Sequence, residues 1–283
     1  MKLSELYKTK DLTISFEVFP PDTIDKIEKL QAELSELEKF KPDFISLTYG
    51  AGGKNNEQAK LVLTSLHEKF SFEIMPHFTC MCSSKEFINE NLDFLKQLGT
   101  NNILALRGDK PDNEEQKCTD FCYANELVEY LKLKTDFSIA VAGYPEGHIE
   151  APSIEVDIQN LKKKTEAGAD AIFTQLFFDN DKFYRYQELV MQTGISVPII
   201  AGIMPILSFK QLQKMTTLAK VTIPKKLLEK IEKHQDDKNY IKELGIEFAS
   251  NQCENLIQNK VKGLHFFTLN KSYSTKEILK NIQ

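Results

Sequence analysis

Eight short apolar runs, each followed by an amphipathic stretch, constrain the architecture of this 283-residue chain more than any other feature. The runs are Thr13–Phe19, Asp43–Tyr49, Glu73–Phe78, Asn102–Arg107, Ser138–Gly143, Ala169–Leu176, Val197–Ile203 and Gly263–Leu269. Several are apolar at nearly every position, as in I-L-A-L and V-P-I-I-A-G-I, which suits parallel strands covered on both faces. Helices are predicted in the gaps. Ile24–Phe40 places Ile24, Ile27, Leu30, Leu34 and Leu37 at helical spacing behind a cap at Asp22 or Thr23. Similar patterns occupy Glu57–Phe70, Lys85–Leu98, Asp120–Leu133, Ile154–Ala167, Lys182–Gln192 and Phe209–Leu218. Gly99, Gly168 and Gly194 follow helices, where a left-handed cap is expected. Pro224–Lys262 reads as two extra helices around the turn Gln235-Asp236-Asp237-Lys238, and Ser274–Ile282 as a short closing helix.

Strands alternating with helices imply a parallel sheet, and eight units favour closure into an α/β barrel of the (β/α)8, TIM type. Extra helices are expected between strands seven and eight. Residues 1–283 read as one barrel domain, since such a barrel typically needs about 250 residues. The first strand ends in Phe19-Pro20-Pro21 with no G-x-G-x-x-G fingerprint, and no P-loop occurs. Hydrophobic residues at 41% and charged residues at 27% supply a large core and a polar surface. A net charge of −5 argues against a nucleic-acid partner. No apolar run approaches the roughly 20 residues that span a bilayer, and Met1–Thr9 has neither the apolar core nor the cleavage pattern of a secretory signal. Five cysteines, an odd number, suit reduced thiols in the cytoplasm. Cys80 and Cys82 beside His77 lack the second pair a zinc site needs, so no metal is expected.

The ends of the runs carry the chemistry. In order they give Glu17; Thr48 and Tyr49; His77; Arg107 and Asp109; Tyr144; Gln175; Met204 and Pro205; Thr268 and Asn270. In a barrel that face holds the active site, whereas the opposite ends, such as Lys41-Pro42-Asp43 and Lys262-Gly263, read as plain connections. Glu17, among apolar and Pro residues, is expected to be desolvated with a raised pKa, as a proton donor near neutral pH requires; the other reading is a Glu paired with a buried Arg or Lys, or facing outward. In L-R-G-D, Gly108 lets the backbone approach a flat ligand, Arg107 offers a cationic fork and Asp109 can favour a developing cation; the alternative is an Arg–Asp pair at a turn. His77 is a base, a ligand or a core histidine. Gln175 is a two-way reader of a heterocycle or a buried amide satisfied by backbone. Lys162-Lys163-Lys164 is a solvated face or a diphosphate clamp.

Taken together, S-F-E-V-F-P-P, S-L-T-Y-G-A-G-G, P-H-F-T-C, L-A-L-R-G-D, G-Y-P-E-G-H, A-G-A-D-A-I-F-T-Q-L-F-F-D, A-G-I-M-P and H-F-F-T-L-N, in this order from Ile14 to Lys271, resemble methylenetetrahydrofolate reductase. The resemblance implies non-covalent FAD at the strand ends. NADH or NADPH hands hydride to the flavin and leaves, and 5,10-methylenetetrahydrofolate then enters the same site to be reduced to 5-methyltetrahydrofolate for methionine synthesis. It implies Glu17 as the donor of a proton to N10 of the folate and Asp109 as the group favouring the iminium cation. Flavin contacts would fall on Thr48, Tyr49, Ala51, His77, Arg107, Gly108, Asp109, Tyr123, Ala124, Tyr144, His148, Ala151, Asp157, Asn160, Lys163 and Lys164. Folate contacts would fall on Gln175, Gln211 and Lys271. The length is similar to the bacterial, catalytic-domain-only members, so inhibition by S-adenosylmethionine is not expected, and related enzymes are commonly homo-oligomers.

The sequence departs from familiar members at three places. Lys271 and Lys163 stand where Arg is usual, which keeps the charge but loses the bidentate fork. Met215 stands where an aromatic stacks on the nicotinamide, leaving the choice between NADH and NADPH open. Competing readings are a flavin-free barrel that transfers methyl groups from a folate, a non-catalytic folate or flavin module, and a Schiff-base aldolase, for which no strand offers an inward Lys.

Overall fold

The computed structural model of the chain describes residues 1–48, 56–81, 83–109 and 120–283. Its eight strands are β1 (Thr13–Val18), β2 (Phe44–Leu47), β3 (Glu73–Thr79), β4 (Asn102–Leu106), β5 (Ser138–Gly143), β6 (Ala171–Leu176), β7 (Ile199–Ile203) and β8 (Gly263–Phe267). They pair in sequence order, all parallel, and β8 returns to β1, so the sheet is a closed barrel. The expected (β/α)8 architecture is what forms.

Side chains alternate across this wall. Phe16, Val18, Ile45, Leu47, Ile103 and Ala105 point outward and share one core with helix residues such as Leu30, Leu34, Leu63, Leu92, Leu127 and Leu161. Those helices are α2 (Ile24–Glu38), α3 (Asn56–Lys69), α4 (Lys85–Gln97), α5 (Ala124–Lys134), α6 (Ile154–Glu166) and α7 (Asn180–Gln192). Ser84, Ser153 and Asp179 cap α4, α6 and α7 by accepting a backbone N–H, each satisfying one orphan donor of the first turn. Thr23 occupies the N-cap of α2 but makes no side-chain bond there. Gly99, Gly168 and Gly194 have φ of +79°, +114° and +83°, the left-handed caps expected after α4, α6 and α7.

Phe44, Met75, Leu104, Ala140, Ala171, Phe173 and Ile200 form a second core inside the barrel. One helix missing from the sequence reading completes it. Leu3–Thr9 forms α1, and Leu3, Leu6 and Tyr7 close the lower end of the barrel against that inner core. Polar residues at the strand starts hold it: Leu3 donates its N–H to Asn102 Oδ1 at 2.7 Å and Ser4 donates to Ser138 Oγ at 3.1 Å. The lower strand ends are therefore not plain connections. Asp43 accepts from Ile14 N–H at 3.0 Å and pairs with Lys10.

The gap between β7 and β8 holds α8 (Phe209–Ala219), α9 (Lys225–Lys233) and α10 (Lys238–Gln258), and α11 (Tyr273–Ile282) follows β8. The last two helices before β8 match the extra pair expected. Leu227, Ile231, Ile241 and Leu244 pack with Leu176, Phe178, Met204 and Ile206 in a third core above β6 and β7. The insertion thereby walls one side of the barrel mouth. No helix among the described residues is long and apolar enough to cross a membrane.

Candidate active site

The upper strand ends bring the polar residues together in two adjoining regions, a cavity and a buried cluster. The cavity, about 810 Å³, lies over β4, β5 and α6. It is lined by Arg107, Gly108, Asp109, Tyr123, Ala124, Tyr144, His148, Ala151, Asn160, Lys163 and Lys164, all expected at a cofactor site, and also by Thr79, Asn125, Glu126 and Glu150, which sequence reasoning did not single out. Gly108 has φ +87°, a backbone conformation that favours glycine, and a Cβ there would sit a tight 3.2 Å from Thr79 Cβ.

The electrostatics of the cavity follow from burial. The Lys164 ammonium donates to Ala142 O at 2.6 Å, and its pKa is lowered to about 8, by desolvation chiefly, with Asp157 opposing. Burial raises Asp157, which is set behind the cavity wall and accepts the His148 N–H at 3.2 Å. The His148 ring meets Tyr144 edge-on at 4.6 Å, and burial pushes His148 down and Tyr144 up to about 12. Lys162 reaches only Glu166 on the surface, at 3.9 Å, while Lys163 and Lys164 face the cavity. The three-lysine run thus divides between a surface position for Lys162 and a cavity wall for Lys163 and Lys164.

Arg107 does not pair with Asp109, the alternative raised by the tetrapeptide. Its fork holds Glu150, with Nη1 and Nη2 donating at 2.7 and 2.9 Å, which ties the end of β4 to the loop after β5. Asp109 stands exposed on the cavity rim. Tyr123 is the N-cap of α5 and 60% exposed, and Glu126 accepts the N–H of Cys122 and Tyr123 at 2.7 and 3.2 Å, fixing the start of the helix.

The second region lies inside the barrel mouth. Glu17 and His77 are buried, with Glu17 Oε2 3.4 Å from His77 Nε2 and 3.6 Å from His265 Nε2. Burial alone would raise Glu17, as the sequence suggested. The two imidazoles outweigh it, His77 chiefly by charge and His265 chiefly by hydrogen bonding, and hold the carboxyl well below the usual range. The expected raised pKa is therefore corrected: the buried partner is a pair of histidines, neither an Arg nor a Lys. Ser46 bridges the imidazoles, 3.3 Å from each Nε2, and Ser15 Oγ lies 2.7 Å from His265 Nδ1. Ser15, Ser46 and His265 were missed. Ser15 shares a face with Glu17, two residues on, and pairs in register with His265, as Glu17 does with Ser46. Only the alternation of polar residues in an apolar strand could have signalled them.

Thr48 and His77 lie outside the cavity lining, with Thr48 donating its N–H to Val18 O at 2.9 Å. Tyr49 and Ala51 lie outside the described residues. Gln175 is half-buried, its Oε1 accepting the Leu176 N–H at 2.9 Å. Gln211 Oε1 accepts the Leu207 N–H at 3.0 Å. Lys271 is exposed beyond β8, after Leu269 and Asn270, which both have positive φ. Met215 packs against the third core. Among the described residues no group of three or more His, Cys, Asp or Glu could hold a metal ion.

The chain is similar to known proteins in sequence and in fold. The model of the methylenetetrahydrofolate reductase family matches residues 2–283. The 5,10-methylenetetrahydrofolate reductase of Pectobacterium carotovorum is 38% identical over 261 residues, 92% of this chain and 87% of that protein. The Escherichia coli K12 protein of the same name is 34% identical with the same coverage. Methylenetetrahydrofolate reductase (NADH) 1 of Arabidopsis thaliana is 36% identical over 295 residues, 99% of this chain but 50% of the plant protein. In fold, an uncharacterized Clostridium thermocellum protein that binds two copies of 5-methyl-5,6,7,8-tetrahydrofolic acid superposes with a TM-score of 0.66, covering 98% of this chain and 96% of that one at 13% identity. On the family match and these relatives, the chain belongs to the methylenetetrahydrofolate reductase family.

Proposed function

We propose that this chain reduces 5,10-methylenetetrahydrofolate to 5-methyltetrahydrofolate, with FAD as its bound flavin and NADH or NADPH as hydride donor in a ping-pong cycle, supplying methyl groups for methionine synthesis. Residues 1–283 act as one catalytic barrel domain in a cytoplasmic homo-oligomer. The name of the Arabidopsis relative favours NADH. The observation that carries the reading is the cavity over β4, β5 and α6, which gathers Arg107, Tyr144, His148, Lys163 and Lys164 from separate elements. Its donor set fits FAD: Lys163 and Lys164 are cations suited to a diphosphate, Gly108 admits a flat ring close to the backbone, and a volume of about 810 Å³ suits a large ligand.

FAD, when bound, would carry the electron pair from nicotinamide to folate. The chain's own residues do the rest. Lys163 and Lys164 neutralise the phosphates, with Arg107, His148 and Asn160 lining the same wall. Asp109 on the rim favours positive charge developing on the pterin. Gln175 and Gln211 offer amides to the folate, and Lys271 an ammonium to its glutamate tail. Glu17 passes a proton to N10. Because His77 and His265 hold Glu17 ionised, that proton enters the buried cluster during turnover rather than residing on the carboxyl at rest.

The purified protein should be yellow, bleach anaerobically with NADH or NADPH, and regain colour with methylenetetrahydrofolate. Glu17→Gln should keep flavin and still accept hydride, but fail to reduce the folate. Normal folate turnover by that variant would remove Glu17 as the acid. A colourless protein that takes up no flavin would favour the methyl-transfer barrel instead.

A further inference from the structure

His265 has no part in the expected set of site residues, yet it is among the most constrained side chains in the molecule. It is 1% exposed. Its ring stacks on Phe44 at 6.3 Å and 20°, and Phe173 and Phe267 meet it nearly edge-on at 5.0 and 5.6 Å. With rings on three sides, the imidazole has one orientation. In that orientation Nδ1 lies 2.7 Å from Ser15 Oγ, while Nε2 faces Ser46 Oγ at 3.3 Å and Glu17 Oε2 at 3.6 Å.

The tautomer follows from these neighbours. A carboxylate has no proton to give, so a lone pair on Nε2 would face the Glu17 lone pairs and repel them. The proton therefore belongs on Nε2, and Nδ1 accepts from the Ser15 hydroxyl. Burial disfavours a charge on the ring against the pull of Glu17, and in the neutral ring a single N–H faces Glu17. At 3.6 Å this contact is electrostatic, and contacts of this kind tighten when ligand fills a site. The groups facing Glu17 are His77 from β3, Ser46 from β2 and His265 from β8, and among the described residues no Lys or Arg acts on it. The turn after β8 adds to the hold: Thr268 donates both N–H and hydroxyl to Glu17 O, at 3.2 and 2.7 Å, and Asn270 clasps the backbone of Phe19 from both sides at 2.8 and 2.9 Å.

We propose that His265 is a positioning residue for Glu17: the Ser15 hydroxyl fixes its Nε2–H tautomer, and that N–H holds the carboxyl in place and stabilises its negative charge each time a proton leaves for the substrate. Ser15 and His265 thus act as a pair behind the acid, Ser15 orienting His265 and His265 orienting Glu17. The inference rests on the reading of Glu17 as proton donor in folate reduction. The tautomer is a property of the protein alone and is tested without flavin or folate.

Nitrogen-15 NMR of the side chains of the five histidines in the cofactor-free protein, with His265 assigned by its loss in His265→Gln, should show a neutral Nε2–H imidazole. Ser15→Ala should mix the tautomers and Glu17→Gln should shift the Nε2 resonance. An Nδ1–H ring in the wild type, or no response to Ser15→Ala, overturns the proposal. In single-turnover kinetics His265→Leu should slow folate reduction at least about tenfold more than it slows flavin reduction by NADH. It should also move the fall in folate rate to higher pH by about one unit, because a group stabilising the carboxylate is gone. His265→Gln keeps an N–H near the Nε2 position and should recover most of the lost rate. Equal slowing of both half-reactions with an unmoved pH profile marks His265 as structural only and sinks the idea. Should the wild type itself fail to reduce the folate while the tautomer result holds, the functional reading fails and the Ser15–His265–Glu17 arrangement stands.

Discussion

Lys164 shows how one side chain can link cofactor binding to pH. With a pKa of about 8 in the cofactor-free protein, set chiefly by desolvation, its ammonium is present below that pH and lost above it. An anionic diphosphate favours the charged form, so flavin binding takes up a proton there and affinity falls as pH rises past about 8. Titration of flavin fluorescence should give binding about tenfold weaker near pH 9.5 than near pH 7, whereas Lys164→Met should bind weakly at both and lose most of that dependence. At the rim, Asp109→Asn should retain flavin while slowing folate reduction about ten- to hundredfold in rapid-mixing experiments; unchanged folate kinetics would take Asp109 out of the mechanism. Glu17 is the residue whose state the sequence misjudged. Its apolar neighbours in the chain announced burial, but His77 and His265, which reverse the effect of burial, come from strands far away in sequence.

Among the elements, α1 is the one that periodicity did not reveal. Its seven residues are too few for a helical pattern to stand out, and short helices are marginal alone. Packing decides it, since the lower mouth would otherwise expose Phe44, Met75, Leu104 and Ile200. Leu3→Ala should therefore lower stability by about 2–5 kcal/mol in denaturant unfolding, with little change in the slope. The folate and flavin half-reactions should be unaffected, because the site lies at the other end of the strands. The strands were legible to within a residue or two because parallel strands buried on both faces leave near-continuous apolar runs. The start of α5 was not: the pattern suggested Asp120, whereas Glu126 reaches back to cap the helix behind Tyr123.

For the whole molecule, the cavity walls come from β3, β4, β5, α5 and α6, so a ligand bound there joins elements spread through the barrel. Flavin at a hundredfold excess over its dissociation constant should stabilise the fold by about 2.7 kcal/mol, seen as a rise in Tm that grows with flavin concentration. A Tm indifferent to flavin would mean that the cavity does not bind it. The sequence by itself determined the barrel, its strand order and the end at which polar residues gather, because these follow from periodicity and from the rule that neighbouring units pair. It also placed Arg107 and Tyr144 at that end, since each closes or follows an apolar run, whereas Lys163 and Lys164, on α6, were singled out through the family resemblance. Only the tertiary structure decided that Arg107 takes Glu150, that α1 closes the barrel below, and that Ser15, His265, Ser46 and His77 surround Glu17. The reason is distance along the chain: Ser15 and His265 lie 250 residues apart, and which side chains meet across the closed seam depends on the register of β8 on β1, which neither strand signals locally.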